Sequence, residues 1–518
     1  MSSTFFGIEI AKRALSTQQS ALYTTGHNIA NANTPGYTRQ RVNFEQSNPY
    51  PSASRIRPEI PGQFGTGVSA GSVQRVREGF LDVQFRHETS KLGYWSSRAD
   101  ALEKMEEIMN EPSESGLAIT LDRFWQSLQD LALNPTNAGA RAVVRERGIA
   151  VAETFNYLSN SLTEIQNDLK NELEVNIKEI NSLLNQINDI NKQIGEIEPH
   201  GYLPNDLYDE RDRLLDELSS FVNIKVTPVG SGGNALEIAE GKVTVELLDD
   251  KGRSLGTVVD GKKLKVHELS VNYSGINGLV QEISIGTKDI KVSDFNSSGS
   301  LLGMIHSFGY TYTTASGTVV EKGIYPEMLQ RLDALAYDFA KEFNNIHRNG
   351  WSIEDMKNNN WTPENFFDFS GLMPPSDTNK KGAAALIKVS EAIMDNYDHI
   401  AAAQSQNVGD GSNAVALAEV KNKTFVINGN FTTVQNYYES LIGGMAVDAQ
   451  EANRLSSNSQ TLADAVEERR KSVSSVSLDE EMTNMIQFQH AYNAAARMIT
   501  LQDEILDRII NNMGLVGR

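Results

Sequence analysis

One stretch limits what this chain can fold into more than any other, residues 477–513. Leu478, Met485, Tyr492, Ile499, Leu506 and Met513 recur every seven residues, and Phe488, Ala495 and Ile509 fall three further on. That alternation of three and four is the seam of a long helix packed along another helix. Ser477 with Glu480 three residues later reads as a capping box. Asp479, Glu480 and Glu481 put negative charge where the helix dipole favours it. Gly514 suits the left-handed position that ends such a helix near Met513. A helix with this seam needs a partner.

The other end of the chain supplies one. Ile8, Leu15, Leu22 and Ile29 are also spaced by seven, flanked by the small side chains of Ala11, Ala14, Ala21 and Thr25. Gly7 and Gly26 each cost ~1 kcal/mol against Ala, so this helix is marginal alone. Residues 1–42 carry four basic side chains against Glu9, and residues 478–518 carry six acids against three arginines. The charges complement one another. The two terminal helices are expected to pair, either within one chain or between copies. Three asparagines and Tyr37 follow in Asn28-Ile29-Ala30-Asn31-Ala32-Asn33-Thr34-Pro35-Gly36-Tyr37. Asn-Thr-Pro-Gly stops a helix and starts a turn.

With 518 residues, two to four domains are expected. The net charge of −20 argues against general nucleic-acid or anionic-membrane binding. No apolar run approaches the ~18 residues of a membrane span, and no Sec-type signal peptide is visible. The chain contains no cysteine, which excludes a thiol nucleophile and a cysteine metal site. Two readings of that absence stand: a cytosolic chain that lacks the residue, or a chain that travels unfolded and never forms a disulfide.

Between the ends the pattern changes several times. Residues 43–90 read as irregular and β-rich. Helical spacing runs from Lys91 to Phe221, with a seam through Phe155, Leu158, Leu162, Ile165, Leu169, Leu173 and Ile177. Two successive steps of four there mark a stutter. A helix from Val151 to about Glu196 would be a strut of roughly 70 Å. The charged run Asp209-Glu210-Arg211-Asp212 reads as a solvated helix face. Short apolar runs between Gly, Asp and Asn turns in 222–298 predict an inserted unit of small strands. Helical spacing returns at Pro326. Residues 351–411 are loop-rich, with Trp351, Trp361, Phe366 and Phe367 expected as core anchors, and 414–470 is mostly helical. The expected fold is α+β and multidomain: a terminal α-helical coiled coil from 1–60 and 471–518, a long helical-bundle domain from 61–221 and 300–470, and an inserted small all-β domain from 222–299.

No constellation for chemistry survives. His87-Glu88 and His267-Glu268 lack the second histidine of a zinc-protease motif. Gly409-Asp410-Gly411-Ser412-Asn413 lacks the twelve-residue ligand spacing of a calcium loop. Gly65-Thr-Gly67-Val68-Ser69-Ala70 has no strand–helix unit of the dinucleotide-binding kind around it. No catalytic residue, metal site or cofactor is expected.

The N-terminal decapeptide resembles a signature shared by rod, hook and hook-associated proteins of the bacterial flagellum. Val476-Ser477-Leu478-Asp479-Glu480-Glu481, with Gln487-Phe488-Gln489 and Ala491-Tyr492, resembles the matching C-terminal signature. The Ser-Leu-Asp-Glu-Glu form and residues 205–215 are similar to the hook–filament junction branch of that family. The resemblance implies a secreted structural subunit of the extracellular flagellum at the hook–filament junction, needed for flagellum assembly and motility. It implies terminal helices forming an inner tube, a helical shell around them and an outward-facing β insertion. The implied interface holds Ile8, Leu15, Leu22, Ile29, Asn31, Asn33, Pro35, Gly36, Tyr37, Leu478, Met485, Phe488, Tyr492, Ile499, Leu506 and Ile509. The implied partners are further copies of the chain, the hook protein, a second hook–filament junction protein, an export chaperone at the C-terminal helix and the flagellar type III export apparatus. A hook or distal-rod subunit is the alternative on the same scaffold, and a filament-carried secreted enzyme the alternative of another class.

Overall fold

A computed structural model describes residues 5–51, 55, 62–109, 116–274, 278–314, 318–369, 375–377 and 379–512. The helix stop expected at Met513-Gly514, and residues 52–54 and 56–61 of the irregular region, lie outside them. The chain begins with α1 (Phe6–Ala30), then the hairpin β1 (Gln40–Gln46) and β2 (Val68–Arg75). Four helices follow: α2 (Gly79–Met109), α3 (Leu117–Leu133), α4 (Ala138–Ile197) and α5 (Asn205–Phe221). Strands β3 (Ile224–Val229), β4 (Lys242–Leu248), β5 (Ser254–Asp260) and β6 (Lys265–Val266) form one antiparallel sheet in sequence order. β7 (Leu269–Tyr273), β8 (Val280–Ile285) and β9 (Lys288–Lys291) start a second sheet. After α6 (Ser300–Phe308), β10 (Tyr310–Thr313) and β11 (Val319–Lys322) extend that sheet past residue 299.

The second half is helical again, with α7 (Ile324–His347) and the short α8 (Ile353–Asn358). β12 (Phe367–Phe369), α9 (Ala383–Leu386), β13 (Ile387–Val389), α10 (Glu391–Asp395) and α11 (Ser412–Ala418) lead to the hairpin β14 (Phe425–Ile427) and β15 (Asn430–Thr432). The long α12 (Val434–Ser474) and α13 (Leu478–Asn512) close the chain. This is an α+β multidomain fold of long helices and small sheets.

α4 is longer than the seam alone predicts. It begins at Ala138 because Asn137 caps it, its side chain accepting from the amides of Gly139 (2.8 Å) and Ala140 (3.3 Å). Its 60 residues make a rod of ~90 Å. Phe155, Leu158, Leu162, Leu169, Leu173, Ile180, Leu184, Ile187 and Ile194 form its buried stripe. A single 3-10 turn, Glu198–His200, follows it, and Gly201, at φ 84°, ends that turn in the left-handed region. α2 starts at Gly79, twelve residues before the helical spacing becomes legible. Asp82 lies in its first turn and accepts both prongs of Arg77, at 2.7 and 2.8 Å.

α2 and α12 run antiparallel. The Arg470 guanidinium lies 4.1 Å from the Phe85 ring centre at one end, and Met445 shares a cleft with Leu102 and Met105 further along. The core of the helical body is an aromatic cluster in which Phe124, Phe339, Phe343, Phe366 and Phe367 are fully buried. The rings of Phe366 and Phe367 are 4.8 Å apart, and each packs on Phe343, at 5.1 and 5.5 Å. Trp361 is exposed, and its indole N–H donates to the Gly350 carbonyl. It is therefore not a core anchor.

Candidate assembly interface

The terminal helices pair within one chain, antiparallel. A Cβ on Gly7 would meet the Gln502 side chain at 2.8 Å, and Asn28 meets Glu481 at the other end. Ala11, Thr17, Ala21, Thr25 and Asn28 are the buried residues of α1. These are its small and polar side chains; Asn28 among them meets Glu481 of α13, and Thr17 meets the hairpin. Ile8, Leu15, Leu22 and Ile29 are half-buried beside it. On α13, Leu506 and Ala495 are buried, Met485, Phe488, Tyr492, Ile499 and Ile509 are half-buried, and Leu478 is exposed. Phe44 of β1 meets Phe488 edge to face at 5.9 Å. Gly67, at φ 105°, lets the hairpin lie against the α1 backbone at Ile10, and Thr17 Oγ1 donates to the Val68 carbonyl.

The decapeptide loop is organised by Asn28, which the expected interface omits. Its amide nitrogen donates to the Gln40 carbonyl (2.8 Å) and to Glu481 Oε2 (3.1 Å). Its oxygen accepts from the Gln40 amide (3.0 Å) and the Tyr37 hydroxyl (2.7 Å). Every hydrogen-bonding position of the side chain is filled. Arg39 adds Nε to Glu481 and Nη1 to Glu480, both at 2.7 Å, while its amide donates to the Ser474 carbonyl. Among the described residues no hydrogen bond joins Glu480 to Ser477, so the capping box is not formed. Glu480 is spent on Arg39 instead. The charge complement of the termini is realised here, through one arginine.

Asn31 builds the turn. It donates to the His27 carbonyl (3.1 Å) and accepts from the Thr34 hydroxyl (3.1 Å). Asn33, Pro35 and Gly36 are exposed and Tyr37 is half-buried. Burial, followed by the nearby Asp206, Asp209 and Glu481 carboxylates, raises the Tyr37 phenol well above its usual range, so it remains a hydrogen-bond donor. The structure thus brings Asn31 and Tyr37 into the junction, while Asn33, Pro35 and Gly36 rim a cleft of about 590 Å³ facing Arg213, Lys471 and Ser474.

The acidic run on α5 is the main correction. Asp209, Arg211 and Asp212 are buried, while Glu210 pairs with Arg213 on the solvent side, where Arg213 also meets Glu217. Asp209 accepts the Thr38 amide at 3.0 Å and Arg75 Nη1 at 2.7 Å. Asp212 receives Arg75 (3.0 Å), Arg77 (3.1 Å) and Arg86 (3.3 Å). Burial opposes its charge, but the guanidiniums of Arg77, Arg75, Arg211 and Arg86 outweigh it and hold the carboxyl well below the usual range. Burial pushes Asp209 up, against the pull of Arg75. Glu240, in the β3–β4 loop, accepts from both Arg75 and Arg211. Arg86 and Arg470 meet Asp216. The knot ties β2, α2, α5, α12 and the β3–β4 loop together. A charged run gives no sign of burial by itself, since the arginines that close over its two aspartates lie more than a hundred residues away.

Among the described residues no group of three or more His, Cys, Asp or Glu is placed to hold a metal ion, and no helix is long and apolar enough to cross a membrane.

Matches to three families, to relatives and to a solved structure bear on this architecture. Residues 102–367 match the family described as the flagellar hook-associated protein FlgK helical domain, residues 472–513 the flagellar basal body rod FlgEFG protein C-terminal family, and residues 8–38 the flagella basal body rod protein family. Flagellar hook-associated protein 1 of Bacillus subtilis (strain 168) is 52% identical, with 100% of both chains covered. Its namesake in Escherichia coli (strain K12) is 24% identical over 97% of this chain and 99% of that one. The flagellar hook junction protein FlgK from Burkholderia pseudomallei shares the fold, with a TM-score of 0.59 at 14% identity over 76% of this chain and 100% of that chain. Paired terminal helices on a helical body, matched in this way at both ends, define a structural protein of the flagellar rod and hook class. Within it, the chain belongs to the FlgK family of flagellar hook-associated proteins.

Proposed function

We propose that this chain is a non-enzymatic structural subunit of the junction between flagellar hook and filament, and that its terminal helix pair assembles with further copies into an axial tube. The observation that carries this reading is the exposed apolar surface of α13. Pairing with α1 covers one face and leaves Leu478, Met482, Ile486, Met498, Leu501 and Ile505 bare. Clustered exposed apolar side chains mark sites of association. In this reading 1–60 and 471–518 form the inner tube, 61–221 and 300–470 a surrounding helical shell, and 222–299 an outward-facing insertion. The interface comprises the seam residues of α1 and α13 from Ile8 to Ile29 and from Leu478 to Ile509 named above, with Asn31, Asn33, Pro35, Gly36 and Tyr37 of the loop.

The proposed neighbours are the hook protein on one side and a second hook–filament junction protein on the other. An export chaperone would cover α13 before assembly. Passage unfolded through the flagellar type III apparatus to the cell exterior accords with a chain free of cysteine.

Deleting the gene tests the reading. Hooks of normal length, with flagellin lost to the medium and motility abolished, are expected. Absence of hooks would move the subunit to a hook or distal-rod position. Normal swimming would remove it from the flagellum's structure.

A further inference from the structure

The heptad of α13 sorts all but one of its exposed large apolar side chains onto two flanks; Ile510, 72% exposed at position e near the end of the described helix, lies outside both patches. With a at Met485, Tyr492, Ile499 and Leu506 and d at Phe488, Ala495 and Ile509, the a/d seam faces α1. Met482 then takes position e and Ile486 position b, beside Leu478, a seam residue at the end of the pairing. Met498 and Ile505 take g, and Leu501 takes c. Positions e and g border the seam on opposite sides. All six residues are between 41% and 56% exposed. The two patches are also displaced along the axis, since 19 residues from Met482 to Leu501 span ~29 Å.

That arrangement decides the kind of contact it can make. A two-fold pair uses one self-complementary patch, whereas two different patches joined head to tail give a ring where the rotation closes and an open helical array where it does not. Resting on the subunit role proposed above, we infer that the Leu478–Met482–Ile486 flank of one copy packs on the Met498–Leu501–Ile505 flank of the next, with the helices parallel and offset by ~29 Å. The occupant of each patch is therefore a second copy of this chain. At that offset Met482 and Ile486 come level with Leu501 and Ile505, and Leu478 falls one residue from the level of Met498, so the apolar spacing matches at two positions and to within one residue at the third. The charges match as well. Arg497 makes no ion pair among the described residues, and the offset brings it beside Asp479, which makes none either. Like-charged contacts would oppose this register, whereas this one joins opposite signs.

The absence of native cysteine makes the test clean. Chains carrying both Met482→Cys and Leu501→Cys replace the wild type in cells, and isolated flagella are treated with a mild thiol oxidant. A ladder of covalent oligomers is expected from the double variant and only monomer from either single variant. Covalent dimers from Met482→Cys alone would show a two-fold contact and overturn the proposal. So would a double variant that enters flagella yet stays monomeric, both at this pair and at Ile486→Cys with Ile505→Cys; the subunit role would then survive. If the cysteine variants do not enter flagella, the charge pair decides. Arg497→Asp is expected to abolish incorporation and Asp479→Arg to restore it, and failure of that rescue overturns the register. Absence of the wild-type chain from isolated flagella would instead sink the subunit role itself.

Discussion

The Asn28 amide donates to the Glu481 carboxylate at 3.1 Å, across 453 residues of sequence. Both side chains are buried. The N-terminal and C-terminal signatures of this family are therefore two halves of one hydrogen-bonded lock, which explains in physical terms why they occur together in this chain. Neither half can be satisfied alone: Asn28 needs an acceptor from α13, and Glu481 needs donors from the decapeptide loop and Arg39.

Replacing Asn28 by Ala should open the terminal pair without unfolding the body. The change strips partners from the buried Gln40 amide and carbonyl and from Glu481, a loss of about 2–4 kcal/mol for several unsatisfied groups. Amide exchange should quicken throughout α1 and α13 and stay unchanged in α4 and α7. Uniform quickening across all four helices would show that the lock serves the whole fold instead.

Arg75 should matter far more than Glu240. The Arg75 side chain is buried and neutralises Asp209 and Asp212, whereas Glu240 is partly open to water. Arg75→Ala leaves two buried carboxylates short of a cation, which costs about 3–5 kcal/mol, and Glu240→Gln should cost less than half of that. Arg75→Lys should rescue poorly, because a point charge cannot serve both carboxylates at once. Limited proteolysis at the β1–β2 hairpin, with protection ranked wild type, Glu240→Gln, Arg75→Lys, Arg75→Ala, is the expected outcome. Equal protection of the first and last would remove the knot's role in fixing the hairpin.

How much of this was legible in sequence follows from the range of each interaction. The seams of α4 and α13 repeat locally, so spacing reveals them. The strands of 222–298 are short and turn-bounded, and they too can be read; β10 and β11 join their sheet from beyond a helix, which no local pattern records. The half-buried status of Ile8, Leu15, Leu22 and Ile29 was hidden because α1 packs through its smaller residues, and heptad counting favours the larger ones. Asn28 stood in plain view within the decapeptide. Its role depends on Gln40 and Glu481, and only the fold brings those together. The run from Asp209 to Asp212 shows the converse: a pattern typical of solvated helix faces became buried when Arg75, Arg77 and Arg86 closed over it.

Gly148 should not tolerate a methyl group. A Cβ there would sit 2.6 Å from the Phe366 ring and 3.5 Å from Phe124, inside the aromatic cluster. These rings are fixed by Phe343 and Phe367, so the neighbour cannot yield cheaply. Gly148→Ala should lower stability of the helical body by about 1–3 kcal/mol through overpacking. Thermal unfolding followed by tryptophan fluorescence, reporting Trp125 against Phe339 at 5.8 Å, is the direct check. An unchanged midpoint would mean that the cluster has room not visible in the static packing.

Acid should weaken the body through His347 before the surface carboxylates matter. Its ring is buried, Nδ1 lies 2.9 Å from the Glu364 carbonyl and Nε2 accepts the Ala401 amide at 3.0 Å. The neutral tautomer with the proton on Nδ1 satisfies both contacts, and a second proton would abolish the Nε2 acceptor. Burial lowers the folded pKa from 6.5 to about 4, and it does the same to His306 beside Tyr94. The unfolded chain therefore takes up protons first as pH falls. Stability is fully present above about 6.5, declines between there and about 4, and levels off for these groups below that, a loss of up to about 3 kcal/mol for His347. His347→Gln keeps a donor and an acceptor but cannot titrate. It should start less stable at pH 7 and lose less on acidification to pH 4.5 than the wild type. Parallel stability curves for the two proteins over that interval would rule out His347 as the source of the acid sensitivity.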